Sequence, residues 1–416
     1  MTSERECFVY IVLRGATDFV TAGRFRIAAT REGTPRGEFV YGRKYLRRSD
    51  AVEFDPVELR LAPQIYETGR MGGFFGAIRD AMPDYWGRLV IGKHAGRAGL
   101  EEFDYLLEGA DDRAGALGFG LNAEPPAPRR QFNRTLDLER LQTAADALIA
   151  GNPAQAGSAA EQVQELLLEV TSLGGARPKA VVRDDHALWI AKFSRHDDRW
   201  NQPRIEHGLL ALARECGIST AASRVENVAA RDVLLVRRFD RHWGGEGYYR
   251  HRMVSALTLL QTDDSQAGRA RWSYLLLADE VRRVSQSPAE DLRELFTRMC
   301  FNAAVSNLDD HPRNHAVLAK GGGWRLSPAY DLTPIPSVAV ENRDLAMACG
   351  PVGRSANKAN LLAGAGRFLL DEQEAETIFT RVTDTVRASW HATMRRAGVS
   401  DDDCAAIRSA FVYEGL

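Results

Sequence analysis

Three polar side chains near residue 310 have the types and the spacing that phosphoryl transfer requires. Asp309 and Asn314 lie in the segment Asn307-Leu-Asp-Asp-His-Pro-Arg-Asn314, and Asp331 ends the segment Ser327-Pro-Ala-Tyr-Asp331. The first two have the spacing of a kinase catalytic loop, in which an aspartate accepts the proton of the acceptor hydroxyl and an asparagine binds Mg²⁺. The His-Arg pair that usually precedes that aspartate is absent. Asp331 follows Asp309 by 22 residues (331 − 309) and is expected to be a second Mg²⁺ ligand.

The chain between these residues is expected to fold back on itself. Strand-like residues 315–318 and 324–326 flank the turn Gly321-Gly-Gly323, a pattern that predicts a β-hairpin. The hairpin would return Asp331 to the neighbourhood of Asn314. A helix cap and a polar turn would explain any one of these residues, since Asp, Asn and Pro favour turns. Three metal-competent groups at this spacing favour a functional site.

His311 lies inside the same loop and admits two interpretations. It could be a proton shuttle, or it could hold the loop through an imidazole N–H, and we favour the structural role. The tripeptide Asp309-Asp310-His311 also suggests a zinc site. We reject that site because no second histidine follows at i+4 with a glutamate base.

A glycine-rich segment upstream, Ser172-Leu-Gly-Gly-Ala-Arg-Pro-Lys179, could cradle phosphates. Its Gly174 and Gly175 would let backbone N–H groups approach phosphate oxygens. The segment matches neither GxxxxGK[ST] nor GxGxxG, so taken alone an ordinary tight turn is the default interpretation. A strand with Lys192 and a helix with Glu206 follow. Singly these could be surface charges, but kinases place a phosphate-binding lysine and its glutamate partner in this order.

The segment Val236-Arg-Arg-Phe-Asp-Arg241 follows the last predicted strand of that region. A connecting strand here would offer backbone groups to the edge of an adenine, with Phe239 as an apolar surface. Core packing followed by a salt bridge would explain Phe239, Asp240 and Arg241 equally well. The residues leave both interpretations open.

The composition is that of a folded globular chain, with 44% hydrophobic and 26% charged residues. Lys and Arg (54) nearly balance Asp and Glu (56), which does not indicate a protein that coats nucleic acid or a membrane by bulk charge. Apolar runs are far shorter than the ~20 residues of a bilayer span, and no signal-peptide pattern opens the chain. We therefore expect a cytoplasmic protein. The five cysteines form no CxxC pair and are predicted to be buried or incidental thiols.

A chain of 416 residues is expected to form two or three structural units. Strand-like runs, a helix-like stretch over 72–96 and the proline-containing linker Leu121–Asn133 indicate a first unit. Two amphipathic helices within 137–170, a strand over 187–193, a helix from Pro203 to Cys216 and two strands over 223–228 and 232–239 indicate a second unit. Mainly helical sequence, interrupted at 307–331, indicates a third. The predicted units are residues 1–125, a β-rich subdomain; 126–240, a lobe with the glycine-rich loop; and 241–416, a helical lobe with the catalytic and metal motifs.

Together these motifs resemble the HipA family of serine/threonine protein kinases, the toxin half of the bacterial HipBA toxin–antitoxin module. The likeness covers nearly the whole chain and includes the element Ala81-Met-Pro-Asp-Tyr-Trp-Gly-Arg88 and the motifs SLGGARPKA, RRFDR, NLDDHPRN and SPAYDLTP. The last two together are highly specific. The resemblance implies an α+β, bilobal, protein-kinase-like (HipA/PI-kinase-like) fold with a β-rich N-terminal subdomain and an all-helical C-terminal lobe.

The resemblance also implies ATP and Mg²⁺ as cofactors and assigns residues to them. Asp309 would be the catalytic residue, with Asn314 and Asp331 as the metal ligands. Ser172 matches the family's autophosphorylated serine, whose modification expels the nucleotide loop and silences the enzyme. The implied ATP contacts are Gly174, Gly175, Ala176, Arg177, Pro178 and Lys179 in the nucleotide loop, Lys192 at the phosphates, Arg237, Arg238 and Phe239 at the adenine, and His311, Pro312, Arg313, Asn314, Tyr330 and Asp331 around ATP and Mg²⁺.

The implied partners are a small HipB-like helix-turn-helix antitoxin, which carries the operator DNA contacts, and a protein substrate such as an aminoacyl-tRNA synthetase. No membrane partner is expected. The family's Asn-Thr-Asp is Asn-Leu-Asp here, with Asp310 and Pro312 following, but the catalytic and metal residues are kept, so an active kinase is expected. Two alternatives stay open: a small-molecule phosphotransferase on the same scaffold, and a non-catalytic co-regulator bound to a helix-turn-helix partner.

Overall fold

A computed structural model describes residues 5–29, 32–95, 99–128, 132–150, 177–336 and 342–416. The chain divides into two compact units, and each contains both strands and helices. The predicted α+β class is confirmed. Unit 1 comprises Met1–Phe193, Arg237–Val254 and Leu318–Gly322, and unit 2 comprises Ser194–Val236, Ser255–Val317 and Gly323–Leu416.

Unit 1 opens with an antiparallel five-stranded sheet in the order β4-β3-β2-β1-β5. Alternate residues of β3 are buried, as expected for a strand with one face on a core. Phe25 of β2 packs its ring against Phe74, Phe75 and Phe103, with ring centroids 5.5 to 6.2 Å apart. The strands are β1 (Arg5–Val12), β2 (Phe19–Ala29), β3 (Pro35–Tyr41), β4 (Ile65–Thr68) and β5 (Leu117–Gly120).

The helices around this sheet are α1 (Arg43–Leu46), α2 (Gly76–Asp80), α3 (Tyr85–His94) and α4 (Glu102–Glu108). The single helix-like stretch predicted over 72–96 is thus two helices. Pro83 lies in the break, because a proline removes a backbone donor and disfavours the helical conformation of the residue before it. Asp84 then caps α3 by accepting a hydrogen bond from the N–H of Gly87 (2.8 Å).

The rest of unit 1 is built on the strands that flank the predicted nucleotide loop. The short β6 (Asn133–Arg134) runs parallel to β7 (Lys179–Asp184), and β7 pairs antiparallel with β8 (Ala187–Phe193). The first of the two helices predicted within 137–170 is present as α5 (Leu138–Ala150), and the second lies outside the described residues. A further hairpin pairs β11 (Arg241–Trp243) with β12 (Tyr248–Arg250).

Unit 2 contains the predicted helix after Asn201 and the strands that follow it. The helix α6 spans Gln202–Glu215, and Asn201 caps it by accepting from the N–H of Arg204 (3.1 Å). The hairpin strands β9 (Ser223–Val228) and β10 (Arg231–Arg237) pair in the register Arg231↔Val228. Between them Ala229 and Ala230 have positive φ, as a tight hairpin turn requires.

The remainder of unit 2 is mainly helical and surrounds the helix α9 (Pro288–Ala304), whose second half is buried almost completely. Helices α8 (Tyr274–Val284) and α11 (Glu372–Arg396) pack on α9. The capping box of Asp371 and Glu374 begins α11, at the start of the helical tail predicted from Asp371. The helices are α7 (Ala256–Leu259), α8 (Tyr274–Val284), α9 (Pro288–Ala304), α10 (Lys358–Ala363), α11 (Glu372–Arg396) and α12 (Asp401–Ile407).

The region after residue 240 is mainly helical, as predicted. The expectation of an all-helical C-terminal lobe is corrected, because this region also contains strands. Besides β11 and β12 it contains β13 (Arg252–Ser255), β14 (Ala316–Lys320) and β15 (Gly323–Leu326). Glycines permit the turn between the last two, since Gly321 and Gly322 both have positive φ. The domain boundaries at residues 125 and 240 stay predictions.

The cysteine and membrane expectations can be compared with the described residues. All five cysteines are buried and unpaired, which confirms the interpretation of buried thiols. Over the described ranges, no helix combines the length and the apolar character that crossing a bilayer would need.

Candidate active site

The loop that carries Asp309 begins at the end of α9, where hydrogen bonds fix its direction. Asn307 donates its backbone N–H to the carbonyl of Asn302 (2.8 Å) and its side-chain amide to the Asn302 side chain (3.1 Å). Both asparagines are buried. Ser306, between the helix and the loop, has φ +49 and lets the chain turn sharply.

Asp310 anchors the centre of the loop. Its carboxylate is buried and accepts hydrogen bonds from the Tyr274 hydroxyl and from Nε2 of His315 (2.7 Å). Asn302 donates to the same tyrosine hydroxyl (2.9 Å). Burial, followed by the Asp310 carboxylate, raises the pKa of Tyr274 well above its ordinary value, so the hydroxyl stays protonated and donates. Sequence reasoning considered Asp310 in a rejected zinc site and as a departure from the family pattern, and it missed Tyr274 and His315.

Asp309 is exposed, whereas its neighbour Asp310 is buried. Partial burial of the carboxyl group raises the pKa of Asp309, and the negative charges of Asp331 and Asp310 raise it further, while His311 and Arg269 oppose them. Asp331 therefore lies near enough to Asp309 to influence its charge, and both belong to unit 2. A carboxylate whose pKa is raised is better matched to accepting a proton near neutral pH.

The two predicted motifs are joined through their backbones. The Tyr330 hydroxyl donates to the carbonyl of Arg313 (2.7 Å), and the side-chain amide of Asn314 lies 3.5 Å from the carbonyl of Asp309. The hairpin that returns the chain closes where the N–H of Ser327 meets the carbonyl of Ala316 (2.9 Å). The fold-back predicted between Asn314 and Asp331 is therefore present.

Asp331 itself has φ +58, a left-handed conformation that is uncommon outside glycine and costs of order 1 kcal/mol or more. Aspartate tolerates this conformation better than most residues. Strain of this kind is frequent in functional sites.

The residues present fit Mg²⁺. Asp331 and Asn314 offer a carboxylate and an amide oxygen, and Mg²⁺ usually takes one or two carboxylates and completes its shell with water and phosphate oxygens. Over the described ranges, no group of three or more His, Cys, Asp or Glu side chains is arranged to hold a metal ion, so a metal here would rest on this smaller set. Nδ1 of His311 is buried without a hydrogen-bond partner beside this site, which suits a group that meets a ligand.

The other predicted residues of the loop have distinct places. His311 is half-buried and its ring meets the edge of Trp272, with centroids 6.3 Å apart, which supports a packing role. Pro312 is buried at the start of a short helical turn that ends at Asn314. The Arg313 guanidinium pairs with Asp264.

Lys179 differs from what the resemblance implies. Its ammonium group pairs with the Asp84 carboxylate inside unit 1, and only 2% and 7% of the two side chains are exposed. The indole N–H of Trp86 donates to the carbonyl of Lys179 (2.9 Å). Residues at the start of α3 thus bind both the backbone carbonyl and the ammonium group of Lys179. These contacts give residues Pro83–Arg88 a structural role.

Arg238 also has a structural environment. Its guanidinium is completely buried in unit 1 and donates to the carboxylates of Asp112 and Asp240 and to the carbonyl of Arg113 (3.0 Å). Its backbone N–H donates to the carbonyl of Leu188 (2.8 Å). Arg241 lies in the same network, 2.9 Å from Asp240. Of the two interpretations left open for this segment, the structure supports packing and ion pairing for Arg238, Asp240 and Arg241.

The remaining assigned residues stay predictions. Ser172, Gly174, Gly175 and Ala176 lie outside the described residues. Pro178 accepts from the N–H of Phe193 (3.0 Å), and Lys192 is half-buried opposite Lys179 in the β7–β8 register. Glu206 is buried on α6 in unit 2, whereas Lys192 belongs to unit 1, so their pairing stays a prediction. Arg177 and Phe239 are half-buried and Arg237 is exposed.

Replacing Asp331 with Asn should lower the pKa of Asp309, because a neighbouring negative charge is removed. Carbon-13 NMR titration of aspartate carboxyl groups measures this shift, and the exposed Asp402→Asn is the control. An unchanged Asp309 titration would show that the two carboxylates do not interact.

The raised pKa of Asp309 also has a consequence for stability. Because its pKa in the folded chain lies above that in the unfolded chain, its stabilising contribution is fully present below the unfolded-state pKa. The contribution is lost as the pH rises through the folded-state pKa. Asp309→Asn should therefore flatten this part of the pH dependence of urea unfolding.

Lys179→Met should lower the free energy of unfolding by about 3–5 kcal/mol, because it leaves the Asp84 carboxylate buried and unpaired. Urea unfolding measures the loss, and the exposed Lys44→Met is the matched control. If Lys179→Met were as stable as the wild type yet bound ATP more weakly in calorimetry, Lys179 would be a phosphate ligand after all.

Arg238→Met and Arg237→Met separate the structural from the ligand-binding interpretation at neighbouring positions. The first removes a fully buried guanidinium from two carboxylates and should cost about 3–5 kcal/mol of stability. The second removes an exposed charge and should cost less than about 0.5 kcal/mol. Equal stabilities in urea unfolding would refute the buried network.

The sequence and the fold of the chain are similar to those of known proteins. A Sinorhizobium fredii (strain NBRC 101917 / NGR234) protein named "Putative kinase Y4mE" is 26% identical over 277 residues, which is 62% of this chain and 63% of that protein. The HipA structure from the Shewanella oneidensis MR-1 toxin–antitoxin complex of HipA, HipB and operator DNA superposes with a TM-score of 0.66. At 15% identity, that superposition covers 94% of this chain and 93% of that one.

The chain therefore spans about 63% of the length of the curated relative that it matches, and at 15% identity the Shewanella likeness shows a shared fold. The family model described as the HipA-like C-terminal domain matches residues 171–390. That match contains Asp309, Asn314 and Asp331 and covers more than half of the 416 residues. The chain belongs to the family of proteins with a HipA-like C-terminal domain.

Proposed function

We propose that this chain is a Mg²⁺- and ATP-dependent serine/threonine protein kinase that acts as the toxin of a HipBA-type toxin–antitoxin module. The observation that carries the proposal is the chain reversal that returns Asp331 to the neighbourhood of Asp309, on a loop anchored by Asp310. Family membership and the kinase name of the Sinorhizobium relative support the same activity.

In this proposal Asp309 is the general base. Its carboxylate is exposed and can meet an acceptor hydroxyl, and its raised pKa favours proton acceptance. Asp331 and Asn314 would hold Mg²⁺, which neutralises charge on the transferring phosphoryl group when bound. Asp310 is a positioning residue, because its bonds to Tyr274 and His315 fix the backbone that presents Asp309.

The remaining parts of the proposal rest on the family and the fold. The Shewanella HipA was solved with HipB and operator DNA. We infer a HipB-like helix-turn-helix antitoxin as the partner of this chain, with operator contacts made mainly by the antitoxin. The protein substrate would be a translation-related cytoplasmic protein, such as an aminoacyl-tRNA synthetase. Phosphorylation of Ser172 would place a charge of about −1.5 to −2 beside the nucleotide loop and silence the kinase.

Radiolabelled ATP with Mg²⁺ tests the activity. Wild type should label itself, and Asp309→Ala should reduce the labelling rate by about 10²–10⁴-fold, because a general base contributes that much. The exposed Asp402→Asn serves as the charge-matched control and should label like the wild type. Equal labelling by wild type and Asp309→Ala would remove Asp309 from its role.

Ser172→Ala distinguishes the protein kinase from a small-molecule phosphotransferase. Loss of self-labelling in this variant, with Mg-ATP binding intact in calorimetry, is the expected result for regulation by autophosphorylation. Turnover of a metabolite without any self-labelling of the wild type would favour the small-molecule enzyme. Failure of the wild type to bind Mg-ATP, together with intact binding to a helix-turn-helix partner, would leave the non-catalytic co-regulator.

A further inference from the structure

Unit 1 contains a cavity of about 440 Å³ that none of the residues assigned to ATP or Mg²⁺ lines. Its volume is in the range of small-molecule sites. The wall combines basic side chains, two histidines, three glycines and three small apolar residues. The lining residues are Val12, Arg14, Gly15, Val52, His242, Tyr249, Arg250, His251, Arg252, Ala319, Gly321 and Gly322.

The charges of this cavity have one sign. Three arginines line it, and the lining includes no carboxylate. Arg252 is held in place from behind, because it donates to the carbonyl of Glu53 (2.7 Å). Arg250 is buried, donates to the carbonyl of Asp111 (2.8 Å) and pairs with the Asp111 carboxylate (3.4 Å), so its charge is balanced within the protein. Arg14 is exposed and donates to the carbonyl of Gly321 (3.0 Å), so it lies at the mouth. Guanidinium groups fixed in this way are suited to binding an oxyanion.

The two histidines of the cavity lie close together and near positive charges. Nδ1 of His242 and Nε2 of His251 are 3.1 Å apart, so they share one hydrogen bond and cannot both carry a proton there. Burial lowers the pKa of His251 to about 4, and the positive charges of His242, Lys320 and Arg241 add to this effect, while Asp240 opposes it. Burial and Lys320 also lower the pKa of His242. At neutral pH both rings are therefore uncharged hydrogen-bonding groups in a positive cavity.

The backbone and the apolar wall define the shape of a ligand. Gly15, Gly321 and Gly322 have φ of +75, +68 and +109, conformations that keep side chains away from the rim and let a ligand approach the main chain. A Cβ at Gly15 or Gly321 would meet nothing within 4 Å, so the rim is open. The apolar side chains of Val12 and Val52 suit a carbon-containing part of the ligand rather than a bare ion.

We infer that this cavity binds a small phosphorylated molecule, with its phosphoryl group between the guanidinium groups of Arg14 and Arg252. A phosphate dianion matches fixed, forked guanidinium donors better than it matches point charges. The neutral histidine pair can donate one further hydrogen bond to it. The inference does not depend on the proposed kinase activity, because it uses no residue of the candidate active site.

Calorimetry with inorganic pyrophosphate at fixed ionic strength tests the site. The wild type should bind saturably, and Arg14→Gln should bind about tenfold more weakly, since one charge-assisted contact is lost. Arg14 is exposed, so the variant should fold, and urea unfolding checks this. The control Arg47→Gln removes the same charge from an exposed part of unit 1 and should bind like the wild type.

Two further measurements locate the bound anion. Asp309→Ala should retain the binding, whereas an anion bound at the candidate active site would respond to that variant. In NMR titrations, pyrophosphate should raise the pKa of His251 above about 4, because an anion beside the ring favours its protonated form. Equal affinities for the wild type and Arg14→Gln, or an unmoved His251 titration at saturation, would overturn the inference.

Discussion

The buried carboxylate of Asp310 is the interaction on which the candidate active site depends. It accepts from Tyr274 on α8 and from His315 at the far end of its own loop, so one side chain joins the centre and the far end of the loop to a helix. A buried carboxylate is costly unless it is fully hydrogen-bonded, and for that reason the loop has few alternative conformations. The consequence for Asp309 is geometric. With its neighbour fixed inward, Asp309 faces outward, where Asp331 can influence its charge.

Unit 1 uses buried charge in the same way. Lys179 begins the strand that follows the nucleotide loop, and its ion pair with Asp84 ties that strand to α3. Arg238 and Arg241, beyond the end of β10, are tied to residues 112–115 of the same unit. Buried pairs of this kind often contribute little net stability compared with apolar residues, but breaking one is costly. Here these ion pairs fix the start of β7 and the chain just beyond β10.

Local sequence patterns predicted most of the elements that carry the site. The strand over 187–193 and the strand over 223–228 were predicted at the bounds that the structure shows, because alternating apolar residues and flanking turns encode them directly. The hairpin that returns Asp331 was predictable from its glycine turn. The break at Pro83 was missed, although the proline itself signals it.

The roles of the buried charges could not be predicted in this way. Asp84 lies 95 residues from Lys179, and Asp112 lies 126 residues from Arg238, so neither partner is visible in a local pattern. A lysine at the end of a glycine-rich loop has the same local signature whether its ammonium group meets a phosphate or a carboxylate. Motif resemblance therefore indicates a segment, whereas the partner of an individual cation within it depends on the distant residues that the fold brings near. The Lys179 ammonium group meets the Asp84 carboxylate and is almost completely buried, whereas Asp309 is exposed, so the phosphate contact of Lys179 stays a prediction.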